Sequence, residues 1–422
     1  MTRLLELLIS MAIVAVLFLI VGVVLPSSRT LTESVETNRK VTIVYDTVNS
    51  LRRFKDWNPI ALYDPAAKLE LSGPDAGVGA KVSYASEVDG VGTGSWEIVE
   101  SEPNKRVAYA IENEDRGSNK RSEFVLSPTG RNNRNVEITQ TYKVDYGWNL
   151  LGRYSGLYVS RNVGDKMKLG LDRMSSMLAS VPNVDYRVEG SKLTGLVAED
   201  RPAEHLLIVN AGAVERNNEI IKSSMKANYE WIKRTMDANG LRPVGPVRIV
   251  TAELARETYT FDVAQAVQRG GAAPADGADA DADAAPETAG GVPAPAAPVA
   301  NADAPLEGLK LMGPVTYLHA PAGRVARASY VGFMAELESV RNAVRAWAVT
   351  QGHEVIDRPY EFYKNGIDAA FTENGEYDVF WSLKTANTPA VAPVATPAAA
   401  PAAPAAPAAP EAPAAPEAAG SR

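Results

Sequence analysis

Glu361 and Tyr363 stand two apart in the run Arg358-Pro359-Tyr360-Glu361-Phe362-Tyr363. In a strand that spacing puts the carboxylate and the phenol on one face, and Tyr360 and Phe362 on the other. An acid beside an aromatic on a concave sheet face suits a cationic or amphipathic ligand, the ring adding cation–π attraction of about 0.5–2 kcal/mol. In an enzyme the same pair would act as general base and hydrogen-bond donor, given an apolar cleft that raises the acid's pKa. Aligned on Pro246 and Pro359, Arg248 holds the place in an earlier strand that Glu361 holds here. Either the two flank a cleft with opposite charges or they form a structural salt bridge. A solvated glutamate, or one paired with another base, is the plain alternative.

Other chemistries are excluded by composition. There is no cysteine, which removes disulfides, thiolate metal sites and cysteine nucleophiles. His205, His319 and His353 are far apart and lack metal-ligand spacing; the last two read as structural, with no carboxylate or serine partner nearby in sequence. No cofactor motif is present, since Gly77-Val78-Gly79 and Gly92-Thr93-Gly94 lack the strand–turn–helix context of a phosphate loop. The net charge of −8 sits largely in two Ala/Pro-rich stretches, through Asp276, Asp279, Asp281, Asp283, Glu287, Asp303, Glu411 and Glu417. The remaining chain is near neutral and shows no basic patch, so nucleic acid is not an expected partner.

The elements that must position these residues begin with a segment of short alternating runs. Val41, Ile43 and Tyr45 read as a strand, followed by an amphipathic stretch over Val48 to Trp57. Further strands are expected at 81–86, 95–100, 106–112, 122–127 and 136–146, joined by Gly-, Pro- and Asn-containing turns. Met167, Leu171, Met174 and Leu178 then recur at helical spacing before Pro182. A curved antiparallel sheet around this closing helix would bury the stripe, with Trp57 and Trp96 read as core aromatics in preference to ligand platforms.

This segment resembles a known family. Phe54-Lys55-Asp56-Trp57-Asn58-Pro59, Asp64-Pro65, Gly73-Pro74, Gly77-Val78-Gly79-Ala80, Gly92-Thr93-Gly94 and Pro103-Asn104-Lys105-Arg106-Val107 are similar to the polyketide cyclase/dehydrase branch of the START-like (SRPBCC) superfamily. The resemblance covers 36–183. It implies a helix-grip fold with an apolar cavity between sheet and closing helix, lined by Met167, Leu171 and Met174. Such domains bind lipids and other hydrophobic molecules, and only some catalyse a reaction.

Beyond residue 185 the chain repeats itself. Arg201-Pro202-Ala203-Glu204-His205-Leu206 parallels Ala320-Pro321-Ala322-Gly323-Arg324-Val325, and Ile221, Met225 and Ile232 precede Phe333, Leu337 and Val344 by a constant offset. Gly240 and Gly352 keep that offset at helix C-caps. Each repeat ends in two strands, the last being 261–267 and 377–383, so each unit reads β-α-β-β. One unit alone would leave its apolar face wet, and two together bury it. This pattern resembles the GyrI-like small-molecule-binding (effector-binding) domain over 185–385. The resemblance implies a ligand cleft in which Glu361 faces the ligand, with Tyr363, Trp381 and Arg248 beside it.

Two further features complete the reading. Leu7 to Leu25 is an uncharged run of Leu, Val and Ile, long enough as a helix to span the ~30 Å hydrocarbon core. Residues 1–30 are therefore expected to be a transmembrane anchor, with the soluble domains on the extracytoplasmic side. A cleaved signal peptide is the rival, although Val23-Val24-Leu25-Pro26 offers no small-residue cleavage site. Residues 270–305 have the composition of a disordered insertion, and 386–422 that of an Ala/Pro-rich disordered tail, either inert or a tether to an envelope partner. The expected fold class is α+β: transmembrane helix, helix-grip domain, duplicated GyrI-like domain. The expected function is membrane-anchored binding or sensing of small hydrophobic or cationic amphipathic ligands. A hydrolase or cyclase, and an envelope scaffold, are the competing readings.

Overall fold

A computed structural model describes residues 2–188, 191–270 and 304–385. The body of the expected insertion and the whole of the tail lie outside the described residues.

The chain opens with α1 (Thr2–Val24), whose residues from Arg3 on form one helix long and apolar enough to cross a membrane, at a mean hydropathy of 3.2. Its side chains are exposed almost throughout. The first antiparallel sheet follows, built from β1 (Ser28–Thr37), β2 (Lys68–Ser72), β3 (Lys81–Ala85), β4 (Thr93–Glu102), β5 (Arg106–Asn113), β6 (Ser118–Thr129) and β7 (Asn135–Asp145). Its spatial order is β1-β7-β6-β5-β4-β3-β2, so only β1 leaves sequence order. Four short helices accompany it: α2 (Val41–Val48), α3 (Phe54–Trp57), α4 (Ile60–Tyr63) and α5 (Leu150–Ser155). The closing helix α6 (Asp165–Ala179) packs along β1 and against α3.

Strands β3 to β7 fall where sequence alternation places them, but Val41 to Tyr45 do not form a strand. They are the first turns of α2, in which Thr42 to Val48 are all buried. The sheet's first strand is instead Ser28–Thr37, a polar edge with few apolar side chains to betray it.

The second antiparallel sheet has eight strands in the order β12-β9-β11-β10-β14-β15-β13-β8. These are β8 (Leu193–Arg201), β9 (Glu204–Glu215), β10 (Leu241–Leu254), β11 (Thr258–Arg269), β12 (Thr316–Ala320), β13 (Gly323–Val331), β14 (Val355–Tyr363) and β15 (Glu376–Leu383). Helices α7 (Asn218–Ala238) and α8 (Leu337–Thr350) cover one face, and the single turn α9 (Gly366–Ala369) follows β14. Strands β8 and β9 are separated by Pro202 and Ala203 alone, yet lie near opposite edges of the sheet. Six strand spacings would be about 29 Å on the flat, whereas a two-residue link reaches about 10 Å. The sheet therefore curls until its edges approach, with β12 and β13 making the same crossing through Pro321 and Ala322. The molecule is mixed α+β with two antiparallel sheets.

Helix α8 belongs to both halves. Leu337, Val340, Val344 and Ala348 face the second sheet, while Ala343 and Ala346 are buried with Ile43 and Val44 of the first core.

Candidate functional site

A cavity of 640 Å³ opens in the first half, between the sheet and the α5–α6 region. Its floor is aromatic. Trp57, carried by α3, and Trp96, on β4, meet edge to face at 6.1 Å, and Phe54, Tyr109 and Phe124 extend the same T-shaped cluster. Such offset contacts stabilise by about 0.5–1.5 kcal/mol each beyond area burial, so the floor is stiff. The buried indole Nε1 of Trp57 has no hydrogen-bond partner, which leaves a donor in a residue of the cavity lining.

The walls follow from strand alternation. On β7, Val136, Ile138, Gln140, Tyr142 and Val144 point inward, and the last polar pair of that series reaches the cavity. Gln140 Nε2 donates to Ser122 Oγ at 2.9 Å, which fixes the amide and leaves its oxygen to the lining. Tyr84 on β3 has its phenol pushed up to about 12, by burial first and then by Asp115. Burial likewise raises Tyr142 and Tyr146. All three therefore stay neutral O–H groups at any physiological pH, suited to hydrogen bonding and unsuited to acting as bases.

The rim carries both signs of charge through Glu114, Asp115, Arg116 and Lys166. Its acidic loop is anchored from below: Lys120 Nζ donates to the backbone oxygens of Asn113 and Asp115, and to Asn113 Oδ1. Across the mouth, Lys166 Nζ donates to Gly90 O at 3.2 Å and sits 5.4 Å from the Tyr63 ring. Of the three helix residues expected to line the cavity, Met167 does. Leu171 and Met174 lie in the solid core with Ile43 and Phe54. The residues that sequence reasoning did not single out are Tyr84, Gln140 and Tyr142. A glutamine on the inward register of an otherwise apolar strand was the available signal.

In the second half, Glu361, Tyr363 and Trp381 share the helix-covered face. Glu361 is fully buried, and its Oε1 accepts from Arg341 Nε at 2.5 Å. Trp381 Nε1 donates to the backbone oxygen of Arg341. Glu361 Oε2 and the Tyr363 hydroxyl, both buried, have no partner. Tyr363 also borders a groove of 500 Å³ with Tyr229, Lys226 and Gln265.

Arg248 is on the opposite face. In register it stands beside Phe362, while Ile249 stands beside Glu361. The two charges therefore neither bridge nor flank one cleft, and alignment on the prolines misses because β10 and β14 carry irregularities at different points. A one-residue slip exchanges the faces.

Arg248 instead fills the inside of the curl. Its guanidinium lies 4.7 Å from Tyr360 and 4.8 Å from Phe362, and Arg201 lies 4.9 Å from Phe362 and 5.1 Å from Phe380. Glu204 accepts from Arg248 at 2.6 Å and from Arg201 at 2.7 Å. The concave side is thus occupied by its own arginine–aromatic stack. Among the described residues, no cluster of His, Asp or Glu has the makings of a metal site. His205 Nδ1 lies 2.8 Å from the Tyr317 hydroxyl and stacks on His319, and burial lowers His353.

Three comparisons bear on this architecture. A search of curated proteins finds no match to the chain. Among solved structures, protein Ms6760 from Mycobacterium smegmatis aligns at 15% identity and a TM-score of 0.27, over 36% of this chain and 91% of its own. Truncated norcoclaurine synthase from Thalictrum flavum aligns at 13% identity and 0.29, over 36% and 94%. The EcmrR C-terminal domain aligns at 11% and 0.31, over 45% and 98%. The family model described as polyketide cyclase / dehydrase and lipid transport matches residues 28–178, so this stretch, with its sheet, closing helix and cavity, is a domain of that type.

Proposed function

We propose that the chain is a membrane-anchored binder of hydrophobic or amphipathic small molecules, and that the helix-grip cavity holds the ligand. The observation that carries this is the 640 Å³ space itself, with a rigid aromatic floor, neutral hydroxyl walls and a charged rim. Its size lies within the ~300–1,000 Å³ of small-molecule sites, and its lining mixes aromatic and aliphatic side chains with the tyrosine hydroxyls and the Gln140 amide, which set orientation. The tyrosines' raised pKa values favour binding over proton abstraction. Anchoring through α1, with the soluble part outside the cytoplasm, is part of the same reading.

For residues 185–385 the reading is a duplicated GyrI-like module, which the recurrence of strand–helix–strand–strand around α7 and α8 supports. A ligand there would be received by Tyr363 and Glu361, whose partnerless oxygens are the relevant feature. Because Arg341 already matches the Glu361 charge, a cationic guest would have to displace it, and a neutral hydrogen-bonding guest fits better.

The test is thermal. With the full chain in nanodiscs, members of a lipophilic compound library should raise Tm in the wild type. Met167→Trp, which fills the cavity from α6, should remove that response while leaving the unliganded Tm within a few degrees. If no compound stabilises the wild type, or the variant responds equally, the cavity is not the binding site.

A further inference from the structure

The segment joining the first sheet to the closing helix is unlike the rest of the surface. Over eleven residues it exposes Trp148 (81%), Leu151 (55%), Leu157 (49%) and Tyr158 (64%). Exposed apolar clusters of this kind mark interaction sites, and Trp and Tyr in particular favour the membrane–water boundary.

The same segment is fastened to the end of α1. Helix termini leave their last four carbonyls without intrahelical partners, and a low-dielectric surrounding makes such orphans costly. Arg153 on α5 supplies the donors: its Nη1 reaches the oxygens of Val23 at 2.7 Å, Leu25 at 3.1 Å and Gly22 at 3.4 Å. A cation there also complements the helix dipole. Tyr154 reaches deeper, donating its hydroxyl to Phe18 O at 2.7 Å and stacking on the Phe18 ring at 4.2 Å. Gly22 makes the approach feasible, since a Cβ there would come within 3.3 Å of both Leu150 and Tyr154. Phe18 lies six residues below Val24, about 9 Å along the helix axis. That matches the ~5–10 Å depth to which interfacial helices bury their apolar faces.

This segment is also a wall of the cavity, through Tyr146, Ser155, Val159, Asn162 and Val163. We propose that residues 147–159 lie in the bilayer interface beside the end of α1, so that the cavity opens onto the lipid phase and takes its ligand, a membrane lipid, from there. The proposal rests on the reading of the cavity as a ligand site and adds the source of the ligand. Lipid is the chemistry the lining fits: the aromatic floor with Ile111, Val159, Val163 and Met167 for a chain, the tyrosine hydroxyls for ester or hydroxyl oxygens, and a rim of mixed charge for a headgroup.

The chain has no cysteine, so single cysteines can be labelled cleanly. Full-length Leu157→Cys carrying an environment-sensitive fluorophore should be strongly quenched in phosphatidylethanolamine/phosphatidylglycerol vesicles containing doxyl-labelled chains. Val331→Cys, a half-exposed site on the second sheet, should not be quenched. A second arm follows uptake of a fluorescent phospholipid by full-length protein, from vesicles and from dilute solution. Trp148→Ser/Leu157→Ser changes two exposed residues outside the lining. It should slow loading from vesicles about tenfold, as expected for losing interfacial burial of one or two large side chains, and leave uptake from solution unchanged. A Leu157 label quenched no more than Val331, or equal loading rates, overturns the proposal alone. A wild type that takes up the lipid from neither source overturns the cavity reading and the proposal with it.

Discussion

Glu204 holds two arginines at once, and its titration should report that. Burial opposes its charge, but Arg248 and Arg201 outweigh burial and hold its carboxyl below the usual value of 4.5. A folded-state pKa below the unfolded one contributes stability that is complete above about pH 4.5 and is lost as pH falls through the lowered value. The wild type should therefore exceed Glu204→Gln in urea stability by a constant margin from pH 7 down to about 5, and the margin should close toward pH 3. A margin unchanged at pH 3 would mean that Glu204 contributes by shape rather than charge. Neither this cluster nor the Arg341–Glu361 pair was visible in the sequence as such. Strand alternation put Glu361 and Tyr363 on one face and Tyr360 and Phe362 on the other, as they are. It said nothing of which base each acid would meet, because Arg341 reaches Glu361 from helix α8 and Arg248 reaches Glu204 across the curl, and only Arg201 is a near neighbour of its partner in sequence.

At the scale of elements, a run is legible when one of its faces is wet. The β7 strand alternates without a break and fell where it was expected, and the α6 stripe likewise buries Met167, Leu171, Met174 and Leu178. Helix α2 failed because it has no wet face: it is pressed between the first sheet and α8, so its apolar residues carry no 3.6-residue rhythm. Its Val, Ile and Thr content then imitates a strand. Burial on all sides implies a heavy cost for truncation. Ile43→Ala should destabilise the chain by about 2–5 kcal/mol in urea unfolding, whereas Val41→Ala, at the partly buried start of the helix, should cost less. Equal effects at the two positions would show that α2 is not the buried wedge between the halves.

At the scale of the molecule, sequence reasoning divided the chain near residue 185, and the structure joins its halves through one helix. Helix α8 presents one face to the second sheet through Leu337 and Val344, and the other to the first core through Ala343 and Ala346. Polar contacts close the seam. Tyr186 and Arg187 both reach Asp46 on α2, and Arg53 Nη1 donates to Val349 O. Small residues at 343 and 346 gave no hint of this, since alanines on a helix look like filler until a second surface is seen to lie on them. The consequence is thermodynamic coupling. If removing one half exposes the α8 surface that the other half keeps dry, the halves must unfold together. Calorimetry of the wild type should give one transition whose calorimetric and van't Hoff enthalpies agree. Ala346→Arg forces a charge into a position now fully buried, and should split that transition into two, the first half melting earlier than before. Two transitions already present in the wild type would mean that α8 is a boundary and not a bridge. A ligand in the helix-grip cavity would then have no route by which to alter the stability of the second sheet.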